Sequence, residues 1–88
     1  MEQSIILSWS KENAENAPNC TGVYLLRSTP VNGDIVDIKT SPDLKTDLLQ
    51  LFEHGVSEEV KYFNWVATPN IETSESEIIE LKRRYHLS

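Results

Sequence analysis

Only one cysteine, Cys20, stands among 88 residues. A single thiol makes no internal disulfide and no cysteine-rich zinc site, and the expected compartment is a reducing, cytoplasmic one. Long apolar runs are also missing. The N-terminal run Ile5-Ile6-Leu7 is too short for a signal peptide's apolar core or a membrane span, and Met1-Glu2-Gln3 has no basic flank. Positive charge is scarce: eight Lys and Arg face fourteen Asp and Glu, for a net charge of −6. A polyanion gains affinity by exchanging its counterions for Lys and Arg, so tight nucleic-acid binding is not expected, and neither is membrane association. Three glycines form no phosphate-cradling loop, and two histidines build no recognisable Ser/His/Asp or Cys/His set. What remains is ordinary for a folded protein, with 39% hydrophobic and 25% charged residues. The length supports one domain spanning residues 1–88 around one core.

No repeat or low-complexity stretch is visible. Ile5 to Trp9 reads as a short extended segment, with Trp9 packed on the core because an exposed Trp wastes a large apolar surface. Ser10-Lys11-Glu12-Asn13 opens a helical turn that Pro18 must end. Gly22 to Arg27 (GVYLLR) and Ile35 to Thr40 (IVDIKT) read as two strands of a hairpin, joined through the turn signal Asn32-Gly33-Asp34. Pro30 shortens the first arm. Ser41-Pro42-Asp43 predicts a helix start with Ser41 as N-cap and Pro42 at the first helical position. Leu44, Leu48, Leu51 and Phe52 then recur at helical spacing, and Gly55 is the stop. Val60 to Thr68 (VKYFNWVAT) reads as a third strand, with Phe63, Trp65 and Ala67 on one face and Tyr62, Asn64 and Val66 on the other. Asn70 or Ser74 caps a final helix through about His86; Ser74 with Glu77 fits a capping box. The expected architecture is α+β, a small three-stranded, largely antiparallel sheet flanked by helices.

Pro18-Asn19-Cys20-Thr21-Gly22-Val23-Tyr24 resembles the opening strand of the GIY-YIG nuclease domain. Asp37-Ile38-Lys39-Thr40-Ser41-Pro42-Asp43-Leu44 fills the place of that family's second motif and first helix. Val60 to Thr68, followed by Glu75-Ser76-Glu77-Ile78-Ile79, has the family's later order. The resemblance spans about residues 17–85 and leaves 1–16 as an N-terminal extension. It implies a site in which two tyrosines, an arginine and a metal-ligating glutamate surround one divalent cation and cleave a phosphodiester. Tyr24 matches the first tyrosine and Glu75 the glutamate. The second tyrosine is replaced by Asp37, the motif glycine by Lys39 and the arginine by Asp47. Arginine offers a permanent charge and a fork of donors to a phosphate; Asp47 repels one.

Each candidate residue has a structural reading beside the functional one. Tyr24 is a half-buried strand aromatic as readily as a catalytic hydroxyl. Glu75 lies i+4 from Ile71 and i−3 and i−4 from Ile78 and Ile79, which puts its carboxylate on the apolar side if the helix starts at Ile71. If the helix starts at Ser74, Glu75 is a first-turn acid favoured by the dipole. His54 suits the C-terminal dipole of the first long helix, His86 is solvated, and Cys20 packs. Lys82-Arg83-Arg84 complement the last helix's dipole, with a weak phosphate contact as their alternative role. The sequence thus reads as a non-catalytic GIY-YIG-like domain acting as an interaction or regulatory module. Its expected partner is a protein or a second copy of the chain. No resident cofactor is expected, with weak Mg²⁺ or Ca²⁺ binding at Asp37, Asp47 and Glu75 at most. One alternative is a divergent metal-dependent DNA endonuclease using Tyr24 and Glu75, with Arg27 arriving to replace the lost arginine. Another is an unrelated small α+β binding domain.

Overall fold

A computed structural model describes residues 3–31 and 34–86. Asn32 and Gly33 of the expected hairpin turn lie outside the described residues. The strands flanking them are as the sequence predicts: β2 covers Gly22–Arg27 and β3 covers Ile35–Ser41, paired antiparallel. All six residues of β2 are buried. That is why Val23 to Leu26 run without polar alternation: the strand is central and covered on both faces.

The sheet has four strands in the order β1-β4-β2-β3, not three. The added strand is β1, Leu7–Ser8, which pairs antiparallel with β4, Tyr62–Ala67. Two residues carry too little pattern to declare a strand, and pairing with β4 is what makes them one. Upstream, the Ser4 N–H donates to the Trp65 carbonyl at 2.8 Å, and the Ser4 hydroxyl accepts the Trp65 N–H at 2.9 Å.

Strand alternation divides the core into two layers. On one face Tyr24, Leu26 and Phe63 pack with Ala14 of α1 (Lys11–Glu15) and with Leu44 and Leu48 of α2 (Leu44–His54). On the other, Val23, Leu25, Ile38 and Val66 pack with Ile78, Leu81 and Tyr85 at α3 (Ile71–Arg84). Trp9 packs on the first layer as expected, with its ring edge-on to Phe63 at 5.2 Å. Ser10 caps α1.

One cap assignment differs from the sequence reading, and at the last helix the structure selects Asn70 of the two caps the sequence offers. Asp43, not Ser41, is the N-cap of α2 and accepts the Thr46 N–H at 3.2 Å. Ser41 ends β3 fully buried, and its hydroxyl accepts the Asp43 N–H at 3.1 Å while donating to Asp47. The first amides of α2 donate to the Cys20 and Pro18 carbonyls, so the Pro18–Cys20 loop completes the helix start. At α3, Asn70 is the cap and accepts the Thr73 N–H at 2.8 Å. Ser74 is inside the helix, where its buried hydroxyl meets Thr68; a Ser74–Glu77 capping box does not form. Gly55 ends α2 at φ 93°, as the sequence predicts.

Candidate functional site

The register around Tyr24 follows from an irregularity. Leu26 pairs with Asp37 but Arg27 pairs with Ile35, so Val36 is an extra residue in β3. This bulge turns Asp37 and Lys39 to the face that Tyr24 occupies. Lys39 is the direct partner of Tyr24 on one side, and Trp65 is its partner on the other. Above this row runs α2. Tyr24, Asp47, Gln50, Leu51 and His54 line an open groove of about 310 Å³. The four α2 residues stand at i, i+3, i+4 and i+7, the spacing of one helix face. That spacing is present in the sequence, where it overlaps the apolar stripe of Leu44, Leu48 and Leu51, so Gln50 and His54 carry no site signal of their own.

Tyr24 is 7% exposed. Burial pushes its phenol up to about 12, and the Asp37 and Asp47 carboxylates push in the same direction. The hydroxyl is therefore a neutral donor through the whole physiological range. Asp37 is exposed and accepts the N–H of its neighbour Ile38 at 2.9 Å. Asp47 is held by the buried Ser41 hydroxyl. Around the buried phenol stand two carboxylates and, paired with it across the strands, the exposed Lys39, while Asp47 and His54 are the ionisable α2 residues that line the groove.

The remaining sequence candidates lie elsewhere. Arg27 sits one strand position beyond Leu26 and faces α3, on the layer opposite Tyr24. It is 1% exposed. Its Nε donates to Asn64 Oδ1 at 2.8 Å, and one terminal nitrogen donates to Gln3 Oε1 at 3.3 Å and to the Tyr85 hydroxyl at 3.2 Å. Its other terminal nitrogen has no partner among the described residues. The Tyr85 ring lies 5.4 Å beneath the guanidinium. Burial raises the Tyr85 phenol, but the Gln3 and Arg27 hydrogen bonds and the charges of Arg27 and Arg84 outweigh it and leave the phenol below its ordinary value.

Helix α3 does begin at Ile71, yet Glu75 is exposed. The covered stripe of α3 runs through Ser74, Ile78, Leu81 and Tyr85, which places Glu75 on its flank. The half-buried acid of this helix is Glu77. Among the described residues, no three His, Cys, Asp or Glu side chains converge as metal ligands. Lys82, Arg83 and Arg84 occupy the last turn of α3, where Arg83 pairs with Glu80 at 3.2 Å.

No protein-family model and no curated protein matches the chain. Solved structures do match. The magnesium-bound N-terminal GIY-YIG endonuclease domain of UvrC from Thermotoga maritima gives a TM-score of 0.71 at 17% identity, covering 88% of this chain and 90% of that one. A cation-bound point variant of the same domain gives 0.71 at 17% identity, over 88% and 89%. A second such variant gives 0.68 at 18% identity, with the same coverage. The order of strands and helices, the two-layer packing and these superpositions agree that this chain has the GIY-YIG endonuclease fold.

Proposed function

We propose that this domain is non-catalytic and serves as an interaction or regulatory module on the GIY-YIG scaffold. The observation that carries the reading is the direction of Arg27. The chain has three arginines. Arg27 is buried on the α3 layer, and Arg83 and Arg84 stand in the last turn of α3. The α2 position that faces Tyr24 is Asp47. A phosphodiester entering the groove would meet the Asp47 carboxylate and the His54 imidazole on its wall, with Asp37 and Lys39 beside Tyr24 on the sheet. Phosphoryl chemistry depends on preorganised positive charge, and this arrangement supplies little of it.

The solved domains of this fold hold a catalytic divalent cation. The donors here do not fit one. Asp37 and Asp47 flank Tyr24, but Asp47 is engaged by Ser41, Glu75 is on the flank of α3, and Lys39 opposes Tyr24 across the strands. Hard cations such as Mg²⁺ prefer several converging oxygens, and a lysine ammonium competes for the same carboxylates.

The test is direct. Purified protein is incubated with supercoiled DNA, single-stranded DNA and RNA in Mg²⁺ or Mn²⁺. No cleavage above a Tyr24→Phe control is expected. Cleavage by the wild type that both Tyr24→Phe and Glu75→Ala abolish would establish the endonuclease reading instead.

A further inference from the structure

We infer that a second copy of this chain pairs with the free edge of β3, antiparallel and centred on Ile38. The inference deepens the module reading above by naming its partner. The sheet order makes β3 an edge strand. Among the described residues its backbone bonds to no element other than β2. An edge of this kind is a template for another strand. The contact made on it by a side chain is local: Asp37 accepts the Ile38 N–H, a cap that a partner strand's carbonyl replaces.

Charge selects both the partner and the register. Asp37 and Lys39 are exposed, lie on the same face and flank Ile38 symmetrically. A two-fold axis through Ile38 sets Asp37 opposite the partner's Lys39 and Lys39 opposite the partner's Asp37. The same patch serves both copies, as a two-fold interface requires. Centring the axis on Lys39 would place two lysines face to face, and centring it on Asp37 two aspartates. Like charges directly opposite are unfavourable and opposite charges favourable across strands. The bulge at Val36 limits the regular pairing to the segment around Asp37, Ile38 and Lys39. The product is one continuous sheet in which the two β3 strands meet at the centre.

Light scattering and sedimentation of the full chain across a concentration series test this. The wild type is expected to dimerise. Asp37→Lys and Lys39→Asp each convert both cross-strand pairs to repulsion, and each is expected to weaken the dimer by about tenfold or more. The doubly swapped chain, carrying both substitutions, restores the pairs and is expected to dimerise again. Both positions are solvent-exposed, and circular dichroism checks that each variant folds. As an independent readout, amide exchange at β3 in the wild type should slow as concentration rises. A wild type that stays monomeric, or a dimer indifferent to all three variants, overturns the inference. The nuclease assay on the same samples keeps the two readings apart. A monomer without cleavage leaves the module reading standing, whereas a charge-sensitive dimer that cuts DNA overturns that reading alone.

Discussion

Gly22 opens the strand that carries Tyr24, and the structure shows why a side chain is excluded there. Its φ is not in the left-handed region, so the requirement is space, not conformation. A Cβ at this position would run into the Val66 carbonyl oxygen and lie 2.6 Å from Leu44 Cδ1 and 3.1 Å from Leu44 Cγ. The Leu44 side chain can rotate, at the expense of its own packing. The Val66 carbonyl is part of β4, which pairs with β2 through Val23, and cannot retreat without opening the ladder. Overpacking of this kind costs about 1–3 kcal/mol, and a rigid obstacle places Gly22→Ala near the upper end. Since about 1 kcal/mol moves Tm by roughly 4–8 °C in a domain this small, Gly22→Ala should lower Tm by on the order of 10–20 °C. Scanning calorimetry or thermal circular dichroism measures it. Combining Gly22→Ala with Leu44→Ala separates the two obstacles: the double variant should gain nothing over Gly22→Ala, because the carbonyl still blocks. Gly55 is the contrasting case. It has φ 93° and open space around it, so Gly55→Ala carries only a backbone penalty. An unchanged Tm for Gly22→Ala, or full rescue by Leu44→Ala, would refute the steric argument.

Two further outcomes follow from burial and charge. Phe63 is fully buried between Trp9 and Trp65, so Phe63→Ala should cost about 3–5 kcal/mol in chemical denaturation, and Trp65→Ala, at a half-buried position, distinctly less; equal losses would misplace the centre of this layer. Tyr24 ionises near 12 in the folded state against 10 unfolded, so its contribution is fully present below pH 10 and lost as pH rises through 12. Alkaline titration followed by tyrosinate absorbance should find Tyr85 ionising before Tyr24, and Tyr24→Phe should flatten the stability loss over that range.

The local elements were legible because each is governed by near neighbours in the chain. The unbroken run Val23 to Leu26, the leucine spacing of α2, the positive φ that Gly55 allows and the alternation of Phe63 and Val66 are all properties of a few consecutive residues. Caps were less legible. Ser41, Asp43, Asn70 and Ser74 are all good capping residues, and the choice among them depended on what else their oxygens met: Asp47 for Ser41 and Thr68 for Ser74. The fold itself emerged from the order of elements, since a hairpin, a helix, a strand and a helix leave few ways to cover both faces of one small sheet.

The site needed the tertiary structure. The direction of a strand side chain is set by register, and one extra residue reverses it. The bulge at Val36 puts Asp37 on the Tyr24 face, and nothing within IVDIKT announces it. Arg27 follows the same rule in the other direction. Its position three residues after Tyr24 sends it to the opposite layer, where Asn64, Gln3 and Tyr85 hold it. The sequence alone determined that a tyrosine, two aspartates and an arginine lie near the hairpin. That Arg27 faces away from Tyr24 is strand alternation within β2 and could be read locally, whereas Asp37 and Asp47 reach the Tyr24 side only through the pairing of β3 with β2 and the packing of α2, which no local pattern encodes.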